Sequence, residues 1–122
     1  QGSDRRVSSR CGGPPRERLR ALIRLYSERT NTEGMAIELA IRQWARSDAA
    51  AALSVARVDA ARLKVVGQLY RAMGLADDEA EAEAFLFYCF IFGQSLLFLE
   101  RGQRGRALLI ARTAEKLLDK KA

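Results

Sequence analysis

The 122-residue chain contains no histidine. That absence excludes a Ser-His-Asp triad, a Cys-His dyad and every zinc site that needs an imidazole. Cysteine is almost as scarce: Cys11 and Cys89 cannot complete a four-thiolate zinc site or hold an iron–sulfur cluster. With nine glycines and two prolines, the chain is neither collagen-like nor low-complexity. It has no Gly-x-Gly-x-x-Gly or Gly-x-x-x-x-Gly-Lys loop to cradle phosphates. There is no strand alternation, no Asn-Gly hairpin signal and no internal repeat. The longest apolar stretch, Ala84–Leu99, is broken by Gly93-Gln94-Ser95 and is too short to span a bilayer. No charged-then-apolar leader opens the chain, so the expected location is cytoplasmic, with no membrane partner. Neither a cofactor nor a metal nor an enzymatic activity is expected. Gln1-Gly2-Ser3 without an initiator Met reads as a remnant, so natural sequence is expected before Asp4.

What is present suits one globular domain, 48% hydrophobic and 30% charged. The net charge of +6 is uneven. Seven arginines within residues 1–26 face only Asp4 and Glu17, a surplus of five, and the remainder is nearly neutral. Such an end is either an arm for polyanions or a flexible linker followed by the polar face of a helix. Arg16, Arg20 and Arg24 lie four apart on one face, and no aromatic residue interleaves with the early arginines. The second reading is therefore favoured. Residues 1–13 are expected to be a basic flexible linker and residues 14–122 a helical domain.

Five helices are predicted. Pro14-Pro15 opens the first, where a missing N–H costs nothing, and Leu19, Leu22, Ile23 and Tyr26 form its apolar stripe. Thr30-Asn31-Thr32-Glu33 fits a capping box for the second, over about Gly34–Arg46, with Ile37, Ala40, Ile41, Trp44 and Ala45 inward. Ser47-Asp48 caps a long third helix to about Met73. Its inner stripe runs Leu53, Ala56, Ala60, Leu63, Gly67, Tyr70, and Gly74 supplies a left-handed stop. Asp77, Asp78 and Glu79 open the fourth, complementing the positive end of its dipole rather than forming a carboxylate site. That helix is predicted to reach Glu100. A turn at Arg101–Gly105 precedes the fifth, from about Arg106 to Lys120.

The fourth helix decides the functional expectation. Ala84–Phe92 is uninterruptedly apolar, and six of the nine aromatic residues lie between Phe85 and Phe98. A helix with one buried face needs only a stripe of apolar residues. Here Phe85, Tyr88, Cys89, Phe92, Leu96 and Leu99 are assigned to the domain's own core. Phe87, Phe90, Ile91, Gln94, Leu97 and Phe98 are then left facing water. With Leu108 of the fifth helix, they form the expected interface of a homodimer. Trp44, Tyr70, Tyr88, Cys89 and Phe92 are expected to line an apolar ligand pocket within each subunit. The two tyrosine hydroxyls, and Arg42, would orient a small apolar or aromatic effector. Ala56, Ala60 and Gly67 would leave room for it. A fully packed core is the competing outcome. Cys89 alone reads as an inert core thiol and Cys11 as an incidental surface thiol. Asp59 is expected to pair with Arg62 or with Arg42.

Several segments together resemble the C-terminal domain of TetR-family transcriptional regulators. They are Pro15-Arg16-Glu17-Arg18-Leu19-Arg20-Ala21-Leu22, Ile41-Arg42-Gln43-Trp44-Ala45-Arg46 and Val58-Asp59-Ala60-Ala61-Arg62-Leu63. Met73-Gly74-Leu75, Glu79-Ala80-Glu81-Ala82 and the aromatic helix to Gly93 follow in order. The resemblance spans about Pro15 to Leu99. It implies an all-α effector-binding domain whose last two long helices form a four-helix-bundle dimer interface. It also implies operator DNA as a partner, but only through an N-terminal helix-turn-helix that this chain lacks. The alternative is a free-standing all-α dimeric interaction or ligand-binding module with no DNA-binding role.

Overall fold

The computed structural model describes residues 13–28 and 32–120. They form five helices: α1 (Pro15–Glu28), α2 (Thr32–Ala45), α3 (Ala49–Ala72), α4 (Asp77–Leu96) and α5 (Gln103–Leu118). No strand occurs among the described residues. Among the described residues the fold is all-α with five helices, as the periodicity predicts. The basic segment before Gly13, Cys11 and the side chains of the Thr30–Glu33 capping box lie outside the described residues.

Local chemistry explains the helix ends. Pro15 sits in the first turn of α1, and the Arg18 N–H donates to the Pro14 carbonyl at 3.0 Å. Asp48 caps α3: its Oδ1 accepts the Ala51 N–H at 2.9 Å, satisfying one of the amides a helix start leaves unpaired. At 24 residues, α3 is roughly 36 Å long. It stops at Gly74, whose φ of 105° is a left-handed conformation that glycine adopts without a Cβ clash. Asp77, Asp78 and Glu79 occupy the first turn of α4.

The other end of α4 differs from the sequence expectation. The helix stops at Leu96, and Leu97 is already extended. The Arg106 guanidinium, through Nη2, donates to the Gln94 carbonyl at 2.6 Å, so a side chain from α5 satisfies an acceptor that another helical turn would have used. Correspondingly, α5 begins at Gln103, three residues before the expected start.

The core lies where α1, α3, α4 and α5 meet. Leu19 and Ile23 come from α1, and Val66, Leu69 and Tyr70 from α3. Ala80, Ala84, Phe87 and Ile91 come from α4, and Ala114 and Leu118 from α5. The most extensive packing is between α3 and α4. Tyr70 is fully buried, and its hydroxyl donates to the Leu117 carbonyl at 2.8 Å. Arg16 reaches the same end of α5, donating to the Leu118 carbonyl through Nε at 2.8 Å and to the Lys120 carbonyl through Nη2 at 3.2 Å. Lys120 in turn pairs with Glu83 of α4 at 3.1 Å. The last carbonyls of α5 are thus tied to α1 and α3, and the residues just after it to α4.

Three sequence-based faces are corrected by this packing. On α4 the inward row is Ala80, Ala84, Phe87, Ile91 and Gln94, while Phe85, Cys89 and Leu96 are exposed. Phe87, Ile91 and Gln94, expected outside, are therefore inside, whereas Tyr88, Phe92 and Leu99 are half-buried and Leu97 and Phe98 are exposed as expected. A helix apolar on every side has no periodic minimum to mark its outer face, so only the neighbours decide it. On α2, Ile37, Ala40, Ile41 and Trp44 are exposed, because α2 packs on α3 and reaches the core little. On α3, Leu53, Ala56 and Ala60 are exposed, and the buried residues are Ala51 in the first turn and Val66, Gly67, Leu69 and Tyr70 near the other end.

Three substitutions test this packing. Phe87→Ala is expected to cost about 3–5 kcal/mol, because it empties a fully buried site, whereas Cys89→Ala should stay within about 0.5 kcal/mol. Gly67→Ala is expected to stabilise by about 0.5–1 kcal/mol, since a helix-interior glycine is replaced. A Cβ there would meet Arg71 Nη1 at 3.9 Å and the Ala84 Cβ at 4.0 Å, ordinary contacts. Urea unfolding of the three variants checks all three values.

Candidate functional site

The helical repeat divides α4 into three faces. Ala80, Ala84, Phe87, Ile91 and Gln94 step by four and three into the core. Phe85, Tyr88, Cys89 and Phe92 lie to one side, and Leu86, Phe90 and Gly93 to the other. The side bearing Tyr88 lines a cleft of about 280 Å³. Its remaining walls are Asp59, Arg62 and Leu63 from α3 and Arg42 from α2. The floor is aromatic and interlocked. Tyr88 meets Phe87 edge-on at 5.2 Å between centroids, Tyr26 edge-on at 6.4 Å and Phe92 tilted at 6.3 Å.

The mouth is ionic. Arg42 donates to both oxygens of Asp59, through Nη1 to Oδ2 at 2.8 Å and Nη2 to Oδ1 at 2.7 Å. Its Nε donates to Glu38 Oε2 at 3.0 Å. The same guanidinium lies 4.9 Å from the centre of the Phe92 ring, a cation–π approach. Arg62 Nη1 stands 3.8 Å from Asp59 and 3.9 Å from Glu38. The expected pairing of Asp59 is thus found with both arginines, the fork to Arg42 being the close one. Each of these side chains keeps roughly a third of its surface in solvent.

The hydrogen bonds from Arg42 hold the Asp59 carboxyl below its ordinary range, against the opposing effect of burial. The Arg42 guanidinium is raised in turn, chiefly by its bond to Asp59. Burial pushes the Tyr88 hydroxyl up to about 12 and Tyr70 higher still, with Glu83 adding to the effect. Both phenols therefore stay neutral at physiological pH.

Three of the five expected pocket residues, Tyr88, Cys89 and Phe92, come together here. Two do not. Tyr70 faces the core, and its hydroxyl is spent on Leu117. Trp44 sits in the last turn of α2, 58% exposed, where the chain reverses with the Ser47 N–H on the Trp44 carbonyl at 3.0 Å. Ala56, Ala60 and Gly67 leave no room in this cleft, because none of them lines it. Sequence reasoning missed Phe85, assigned to the core, and did not place Asp59, Arg62 or Leu63 in the pocket. Arg62 and Asp59 were legible as a pair at helical spacing. That they border the aromatic row of α4 depends on the α3–α4 crossing.

The expected dimer residues also divide. Phe87, Ile91 and Gln94 are buried within the chain, so they cannot form an interface. Gln94 Oε1 accepts from the Ser27 hydroxyl at 3.1 Å. Phe90 is half-buried against the core. Leu97, Phe98 and Leu108 are exposed, Phe98 completely. Leu86, not singled out from the sequence, is exposed on the same face of α4 as Phe90. Among the described residues no cluster of acidic or thiol side chains could hold a metal ion, and no helix is long and apolar enough to cross a membrane.

The Asp59 fork generates a signed pH prediction. A carboxyl held below its unfolded value adds stability that is fully present above about pH 4. That stability is lost as the pH falls through the lower, folded value. Asp59→Asn should therefore lower stability by about 1–2 kcal/mol at neutral pH. The variant should also show a shallower loss than the parent chain between about pH 4 and pH 2. Melting temperatures at both ends of that range measure it.

No family model, curated protein or solved structure matches the chain.

Proposed function

We propose that this chain is the effector-binding and dimerisation domain of a TetR-like transcriptional regulator. The observation that carries the reading is the meeting of its two most specific segments. Arg42 comes from Arg-Gln-Trp-Ala, and Asp59 and Arg62 come from Val-Asp-Ala-Ala-Arg-Leu. They join in one ionic cluster at the mouth of the aromatic cleft. Those segments carry the resemblance to the family, and here they build a concave, mostly apolar site with a few oriented charges. That is the usual form of a small-molecule site. An apolar or aromatic effector entering the cleft would contact α2, α3 and α4 at once and bias their relative positions.

The proposed dimer surface combines Leu86 of α4, the segment just after it and Leu108 of α5. Leu86, Leu97, Phe98 and Leu108 expose apolar surface that a partner would remove from water. A second copy of the chain is the occupant proposed, through α4 and α5. Operator DNA belongs to an N-terminal helix-turn-helix outside this chain, encoded before Asp4.

Sedimentation equilibrium at micromolar concentration is expected to give twice the 13.6 kDa chain mass. Leu97→Glu should shift it to monomer with helical content retained, because Leu97 is exposed in the single chain. A monomer mass for the parent chain rejects dimerisation. The chain alone should not discriminate one DNA duplex from its scrambled version at physiological salt, although weak salt-sensitive binding follows from its basic end. Sequencing the gene upstream of Asp4 tests the regulator reading directly: an open reading frame with no helix-turn-helix there overturns it.

A further inference from the structure

The charge at the cleft mouth carries the ligand assignment further. The lining holds two guanidiniums, Arg42 and Arg62, and one carboxylate, Asp59. Glu38 is not part of the lining and holds Arg42 through Nε. Both oxygens of Asp59 are engaged by the Arg42 fork at 2.7 and 2.8 Å. Arg62 is in a different position. Its contacts to Asp59 and Glu38 are 3.8 and 3.9 Å, longer than a hydrogen bond. Its guanidinium keeps planar donors for an acceptor that neither acid supplies at bonding distance. Phe85, Tyr88, Phe92 and Leu63 line the same cleft as Arg62.

We propose that the cleft takes a small aromatic carboxylate, its carboxyl group paired with Arg62 and its ring on Phe85, Tyr88 and Phe92. This rests on the ligand-binding reading above and names the class of ligand. Arginine suits the task because its fork matches a carboxylate with two parallel N–H donors. The Tyr88 hydroxyl, neutral at physiological pH, adds no opposing charge. The volume of about 280 Å³ accommodates one or two fused rings. A neutral aromatic would leave the Arg62 donors unused and a cationic one would meet two guanidiniums.

Calorimetric titration of the full chain with 2-naphthoate and with its uncharged isostere 2-naphthamide tests the assignment. The carboxylate is expected to bind one per chain at neutral pH, about tenfold or more tighter than the amide. Added salt should weaken the carboxylate and leave the amide unchanged. Arg62→Met and Arg62→Gln should both bring the carboxylate down to the affinity of the amide. Circular dichroism identifies whichever variant remains folded. Equal binding of acid and amide overturns the carboxylate assignment and leaves an apolar ligand site standing. Tight carboxylate binding that survives both Arg62 variants overturns the role of Arg62. Binding of neither probe removes the site reading together with the ligand class.

Discussion

The crossing of α3 on α4 is the contact on which the rest of the molecule depends. Val66, Gly67, Leu69 and Tyr70 meet Ala80, Ala84 and Phe87 across it. The residues at the closest point are small: a Cβ on Gly67 would come to 4.0 Å from that of Ala84. Close approach of two backbones lets large side chains above and below, Tyr70 and Phe87, fill the space on either side at interior density. With that crossing in place, α1 and α5 add Leu19, Ile23, Ala114 and Leu118 to a single core. The same crossing sets the rotation of α4, and so fixes which of its apolar faces is left for the cleft and which for solvent.

α2 is held by a different kind of force. Its apolar residues Ile37, Ile41 and Trp44 each keep about two fifths or more of their surface exposed and none is enclosed in the core. Its best-defined tie to α3 is the Arg42 fork on Asp59, with the guanidinium also over Phe92 of α4. A bidentate charge-assisted pair is directional where apolar contact is not. It fixes the angle of α2 over the cleft while leaving the helix less anchored than those that share the core. Elements with few buried apolar contacts open at low free energy.

Some of the site was legible before the fold. Asp59 and Arg62 at a three-residue spacing, and Arg42 beside the apolar face of α2, already pointed to an ion pair. Tyr88 and Phe92, with Cys89 between them, share one side of α4 by helical spacing, and they line the cleft. Tyr70 belonged by composition to the same set. Its hydroxyl found the Leu117 carbonyl instead, a partner 47 residues away that no local pattern reveals. Phe85 was taken for core because it shares a side of α4 with Tyr88 and Phe92, yet it is 61% exposed.

Helix number and most helix limits follow from the sequence by itself, because caps and breakers act over one turn. Asp48 on the Ala51 amide, Gly74 at positive φ and acids at the start of α4 are all local chemistry. The end of α4 is the exception that explains the rule. Leu97 leaves the helix where Arg106, from the next element, reaches the Gln94 carbonyl. Facing is likewise a property of the assembled chain. A polar stripe announces the outside of a helix, and α4 has none from Ala84 to Phe92. Which of its sides holds the core, which the cleft and which remains bare was therefore decided only when α3 packed against it.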